Sequence, residues 1–208
     1  MGRVSKATQR IGILGGTFDP VHLGHLILAE EALYQIPLDC VFFLLTPSPP
    51  HKTNQEITDV FHRYRMLRYA IANQRAFTIS RVDLDRPPPH YAVDSIQILR
   101  GAYPRSEIYY LMGEDSLRDL PRWHDAPRFV QVCDGIGVMR RTIDDASYNE
   151  LEKVLPGVRE KVLFLTAPRF DISSREIRQR VATGLPFRYF LPPSVYKYIL
   201  ANGLYRRS

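Results

Sequence analysis

Apolar positions follow two alternating rhythms along the chain. Nearly continuous runs of Ile, Leu, Val, Phe and Tyr occur at residues 10–16 (RIGILGG), 40–47 (CVFFLLTP), 107–113 (EIYYLMG), 135–141 (GIGVMRR) and 161–167 (KVLFLTA). Between them apolar residues recur every three or four positions. Residues 23–35 carry Leu23, Leu26, Ile27 and Leu33; 60–75 carry Tyr64, Leu67 and Ala70; 92–101 carry Ile96 and Leu99; 145–155 carry Leu151 and Leu155. The first rhythm predicts strands covered on both faces and the second amphipathic helices. Their alternation predicts an α/β protein with a parallel, doubly wound sheet. Ligands of such sheets sit beyond the carboxyl ends of the strands, near a switch in strand order.

From Phe170 the pattern changes. DISSREIRQRVATG places Ser173 three residues before Glu176, a capping box, and ends at Gly184; PPSVYKYILANG repeats the plan with Ser194 and Gly203. Two terminal helices are expected. The organisation predicted is one domain over 1–208, with an α/β core at 10–169 and C-terminal helices at 170–208. Proline clusters at 47–50 and 87–89 mark loops after strands, on the same rim as the glycines at 15–16.

Composition narrows the function classes modestly. The 208 residues are 45% apolar and carry a formal net charge of +6, with 23 Arg against 5 Lys. That bias favours bidentate recognition of phosphate or carboxylate, although a basic surface that only keeps the chain soluble accounts for it equally well. Cys40 and Cys133 stand apart among apolar neighbours and read as small buried hydrophobes, which fits a reducing cytoplasm. The basic start MGRVSKATQR precedes an apolar run too short for a signal peptide and lacks the hydroxyl residue of a myristoylation site. No run reaches membrane-spanning length.

The candidate chemistry begins with GGTFDPVHLGH, residues 15–25. Gly15 and Gly16 end the first strand, where the backbone can turn and approach a ligand without a Cβ. The helix predicted from Leu23 presents unpaired N–H groups and a partial positive charge to the same space. His22 and His25 lie three residues apart on its first turn, so both rings can meet one bound group. The arrangement suits a polyphosphate. Two other readings stand beside it: a zinc site, which needs a third ligand with no recognisable spacing, and histidines that only cap the helix. The spacing is neither a dinucleotide fingerprint nor a P-loop.

The order Gly-Gly-Thr-Phe-Asp-Pro-Val-His-Leu-Gly-His resembles the signature of the HxGH nucleotidylyltransferase superfamily. A second signature of that superfamily, Ser-Ser-Thr-x-x-Arg-like, is matched by ISSREIR at 172–178, with Arg175 where Thr or Ser is more usual. PSPPHK (47–52), HRYRMLRYAI (62–71), YAVDSI (91–96), LMGEDSLRDLPRWHDA (111–126) and LPPSVYKYILANGLY (191–205) resemble one branch, the bacterial nicotinate-nucleotide adenylyltransferases. The likeness runs over nearly the whole chain from Arg10. It implies a Rossmann-like α/β/α fold with a short helical C-terminal segment. The implied reaction is transfer of the adenylyl group of ATP to nicotinate mononucleotide in NAD biosynthesis, giving deamido-NAD and pyrophosphate.

The resemblance also implies roles. His22, His25 and Arg178 would act on the triphosphate. Gly15, Gly16, Thr17, Phe18, Gly113, Asp115, Ser173 and Ser174 would complete the ATP site. Asp19, Lys52, Tyr91, Ala92, Trp123 and His124 would hold the acceptor, with backbone N–H groups near Tyr91, Ala92 and His124 taking the nicotinate carboxylate. Plainer roles are open for several: Asp19 bracing the turn before Pro20, Asp115 capping a helix near Ser116, Trp123 covering the core, Arg178 solvated on its helix. His90 and Ala92 stand where the branch commonly has hydroxyls, which weakens side-chain contacts there. Mg²⁺ is implied with the triphosphate, held mainly by phosphate oxygens and water; no protein metal ligands are expected. The implied partners are the two small-molecule substrates, with neither nucleic acid nor membrane and with room for a homo-oligomer. Rival readings are an adenylyltransferase acting on nicotinamide mononucleotide or another phosphate, and a non-catalytic nucleotide- or nucleic-acid-binding module.

Overall fold

The computed structural model of the chain describes residues 9–48, 57–140, 145–168 and 171–206. Six strands, β1 (Arg10–Gly16), β2 (Cys40–Leu45), β3 (Phe77–Ser80), β4 (Glu107–Gly113), β5 (Gly135–Met139) and β6 (Val162–Leu165), form one sheet in the order β3-β2-β1-β4-β5-β6. All neighbours pair in parallel. The helices are α1 (Leu23–Gln35), α2 (Val60–Ile71), α3 (Ala92–Ala102), α4 (Glu114–Asp119), α5 (Ala126–Val132), α6 (Asp145–Val154), α7 (Val158–Lys161), α8 (Ser174–Ala182) and α9 (Pro193–Ala201).

Side-chain alternation along the strands builds two cores. Ile11 and Ile13 of β1 and Ile108, Tyr110 and Met112 of β4 face one side, where they meet Ile96 and Leu99 of α3, Leu117 of α4 and Phe129 of α5. Leu14 and Leu111 face the other, against Leu28 and Ala32 of α1, Met66 and Leu67 of α2, Ile177 of α8 and Val195 and Ile199 of α9. The result is three layers, α/β/α. Each Ile or Leu buried at the sheet centre contributes about 1.5–3 kcal/mol over an exposed one.

β3, α5 and the four-residue α7 lie outside the elements that the apolar pattern predicts. β3 is four residues long and exposes Thr78, too little for the continuous-run pattern. α5 lies inside a segment whose prolines read as loop; Asp125 enters it at φ 47° and Pro127 occupies its first turn. Ser173 caps α8 by accepting from the Glu176 N–H at 3.2 Å, but the Glu176 carboxylate turns to Arg180 instead of closing the box. Ser194 does not cap α9: Pro192 takes that place, and the Ser194 hydroxyl donates to the Tyr69 carbonyl, joining α9 to α2. Gly184 and Gly203 do end their helices in the left-handed region, at φ 72° and 60°. Cys133 is buried as expected, whereas Cys40 is only half-buried. Among the described residues no helix is long and apolar enough to cross a membrane.

Candidate active site

Strand order reverses between β1 and β4, so the chain leaves β1 toward α1 on one face and leaves β4 toward α4 on the other. The divergence opens a crevice at their carboxyl ends, bounded by Gly15 and Gly16 on one side and Gly113 on the other. Gly15 keeps this approach open: a Cβ on it would lie 2.3 Å from the Tyr110 hydroxyl, which would have to shift. Gly113 is the N-cap of α4, with open space beside it. Asp115 therefore sits inside the first turn of α4, not at the cap, and its exposed carboxylate lies 3.9 Å from Arg118. Buried Glu114 takes the shorter contact with Arg118.

His22 is the N-cap of α1 and His25 lies three residues on. The His22 N–H donates to His25 Nδ1 at 3.2 Å, which makes Nε2 the proton-bearing nitrogen of the neutral His25 ring. The two rings stack with centroids 3.7 Å apart and planes 27° apart. Capping and convergence on one point thus coexist. Phe18 props the pair from below: its ring, 2% exposed, meets His25 edge-on at 5.0 Å and Phe43 at 5.8 Å. Its side chain packs between His25 and Phe43.

The start of α8 reaches the same place. The Ser174 hydroxyl donates to the Pro20 carbonyl at 2.8 Å and Arg178 Nη1 to the Asp19 carbonyl at 2.7 Å. A Cβ on Gly24 would stand 3.9 Å from the Ile172 carbonyl oxygen. Two helix starts about 150 residues apart in sequence thus adjoin, each adding N–H groups and a positive dipole end. Thr17 offers its carbonyl inward, to Arg63. The Asp19 carboxylate is 4% exposed, with Oδ1 accepting from the Tyr205 hydroxyl at 2.7 Å and Oδ2 from the Thr58 N–H at 3.2 Å. These bonds give Asp19 a bracing role in the turn before Pro20.

Across the crevice, Tyr91 is the N-cap of α3 and Ala92 its first residue; no side chain caps that start. The His124 ring stacks on Tyr91 at 3.9 Å with planes 20° apart, so these neighbourhoods are brought together. Beneath them buried Asp83 accepts from Ser95 Oγ at 2.6 Å and from Arg86 Nε at 3.0 Å. Arg86 also donates to the Pro89 carbonyl, and the His90 ring lies between two carbonyl oxygens, Nε2 3.2 Å from that of Arg86 and Nδ1 3.4 Å from that of Ser48, the neutral ring donating to one of them. Trp123 is half-buried, edge-on to Tyr110 at 5.9 Å and to Phe129 at 5.2 Å. It packs on the core while reaching the rim. Lys52 lies outside the described residues.

Three residues of the site escaped the sequence reading. Tyr110 underlies Gly15, and burial pushes its phenol well above the ordinary range. Tyr205 reaches Asp19 from the segment after α9; burial, then Asp19, pushes its phenol up, so it stays a donor. Arg63, 2% exposed, donates to four carbonyls; burial lowers its pKa while Asp19 opposes the shift. Its signal was an arginine on the apolar stripe of α2 with Met66 and Leu67. Among the described residues no group of three or more His, Cys, Asp or Glu converges as a metal site.

A family model described as cytidylyltransferase-like matches residues 13–180. The chain is 43% identical over 198 residues to the probable nicotinate-nucleotide adenylyltransferase of Thermomicrobium roseum, covering 95% of this chain and 92% of that protein. It is 38% identical over 197 residues to the nicotinate-nucleotide adenylyltransferase of Bacillus subtilis, with 95% and 98% covered. The solved Plasmodium falciparum nicotinic acid mononucleotide adenylyltransferase complexed with NaAD shares the fold, with a TM-score of 0.78 at 19% identity over 95% of this chain and 97% of that one. Sequence and fold agree: this chain belongs to the cytidylyltransferase-like family and, within it, to the nicotinate-nucleotide adenylyltransferases.

Proposed function

We propose that this chain transfers the adenylyl group of ATP to nicotinate mononucleotide, working in the cytoplasm on small-molecule substrates in NAD biosynthesis. The reading rests on the meeting of the α1 and α8 starts, which gathers His22, His25, Ser174 and Arg178 with two sets of backbone donors. A phosphate oxygen of the acceptor attacks the α-phosphorus of ATP. That P–O bond forms as the bond to the α–β bridging oxygen breaks, and pyrophosphate departs with the electron pair. The acceptor phosphate is already ionised near pH 7, so alignment and charge stabilisation carry the rate. His22 and His25 would donate to oxygens on which charge grows; Arg178 and the α8 amides would hold the β- and γ-phosphates.

The uncapped α3 start at Tyr91 and Ala92, with His124 stacked beside it, would take the nicotinate carboxylate, since backbone donors carry no acceptor to repel it. The pyridine ring would lie near Trp123. Magnesium belongs to the same proposal: the donors gathered here are imidazole, guanidinium and amide groups, so the ion would travel on phosphate oxygens and water. Pyrophosphate release measured across acceptors tests the reading. The expected kcat/KM for nicotinate mononucleotide exceeds that for the nicotinamide form by at least about a hundredfold. A ratio near one contradicts the acceptor, and RNA binding without pyrophosphate release contradicts the enzyme.

A further inference from the structure

Arg63 is a fully buried cation that the chemistry above does not use. Its Nε donates to the Thr58 carbonyl at 2.7 Å, Nη1 to those of Thr17 at 3.0 Å and Thr46 at 2.9 Å, and Nη2 to that of Pro47 at 2.7 Å. One planar fork thus joins the exit of β1, the exit of β2 and the approach to α2. Thr58 couples Arg63 to Asp19: its carbonyl receives Arg63 Nε while its N–H donates to Asp19 Oδ2, and the other oxygen of Asp19 accepts from the Tyr205 hydroxyl. Asp19 and Pro20 also present the carbonyls that receive Arg178 and Ser174. Tyr205 stands at φ 64°, a left-handed conformation that non-glycine residues seldom adopt, as expected of a residue held by its contacts.

We propose that Arg63, Asp19 and Tyr205 form a positioning brace through which the segment after α9 fixes the turn before α1 against the exit of β2, and so aligns the triphosphate with the attacking phosphate. The proposal rests on the function inferred above and adds to it three residues that touch neither substrate. A misplacement of about 1 Å can cost on the order of a hundredfold in rate. Loss of the brace therefore shows in kcat more than in either KM.

The test compares wild type, Tyr205→Phe and Tyr198→Phe by pyrophosphate release and thermal unfolding, at a temperature where all three are folded. Tyr198 on α9 bonds His62 of α2 at 2.9 Å, a tyrosine hydroxyl contact near the same end of the sequence with no part in the brace. Tyr205→Phe is expected to lower kcat at least about tenfold, with both KM values within about threefold; Tyr198→Phe should lower only the unfolding temperature. Wild-type kcat in Tyr205→Phe, or an equal kcat loss in both variants, overturns the brace while leaving the function intact. A wild-type chain inactive with every acceptor overturns both.

Discussion

Adding one methyl group at Gly15 tests the crevice floor with a magnitude that follows from distances. The new Cβ would stand 2.3 Å from the Tyr110 hydroxyl, where ordinary contact begins at 3.4 Å, so the hydroxyl must retreat by about 1 Å. Tyr110 cannot swing freely, because Trp123 at 5.9 Å and Phe129 at 5.0 Å hold its ring edge-on. Overpacking of this kind costs about 1–3 kcal/mol. In Tyr110→Phe the nearest atom becomes Cζ at 3.2 Å, tight but within reach of small adjustments, so Gly15→Ala should cost under about 1 kcal/mol in that background. Urea unfolding of the four proteins gives the coupling as a double-mutant cycle, expected to be at least about 0.5 kcal/mol. The displaced ring presses on Trp123, so KM for the acceptor should rise more than KM for ATP. A midpoint in Gly15→Ala equal to wild type, or an equal cost with and without the Tyr110 hydroxyl, would show that the two groups do not collide.

His25→Ala removes one imidazole from the triphosphate and the acceptor of the His22 N–H: kcat should fall at least about a hundredfold, while the lost cap, about 1 kcal/mol, lowers the unfolding temperature by about 2–4 °C. A collapse of the fold would assign His25 to packing. At alkaline pH the sign follows from Cys133, whose thiol burial pushes up from 9.0 to about 12. Its contribution is intact below pH 9 and is lost as the pH rises toward 12, because the unfolded chain releases a proton that the folded chain keeps. Urea midpoints from pH 8 to 11 should therefore fall more steeply in wild type than in Cys133→Ala, and parallel curves would contradict this.

Residues whose roles are local were legible in the sequence. The runs at 10–16 and 107–113 are apolar enough to announce the central strands, and Gly15, His22, His25 and Ser173 sit where strand ends and helix starts demand them. β3 stayed hidden because a short strand near the sheet edge with an exposed Thr78 needs no continuous apolar run. α5 stayed hidden because a proline in the first turn looks like a loop until the Phe129 and Val130 side chains find the core. Arg63, Tyr110 and Tyr205 act through partners far along the chain; the Tyr205–Asp19 bond spans 186 positions. Periodicity reports which face a residue occupies, and only tertiary packing decides what it touches there. Asp19 shows the difference, placed in the right turn by its sequence and given a bracing carboxylate by Tyr205 and Thr58.

The α1 and α8 starts are expected to receive one triphosphate between them, and a crystal structure with a non-hydrolysable ATP analogue decides it. Phosphate oxygens should then lie within hydrogen-bond distance of His22 or His25 and, in the same molecule, of Arg178 or the first amides of α8. A triphosphate bound away from both helix starts, with those side chains unmoved, would contradict it.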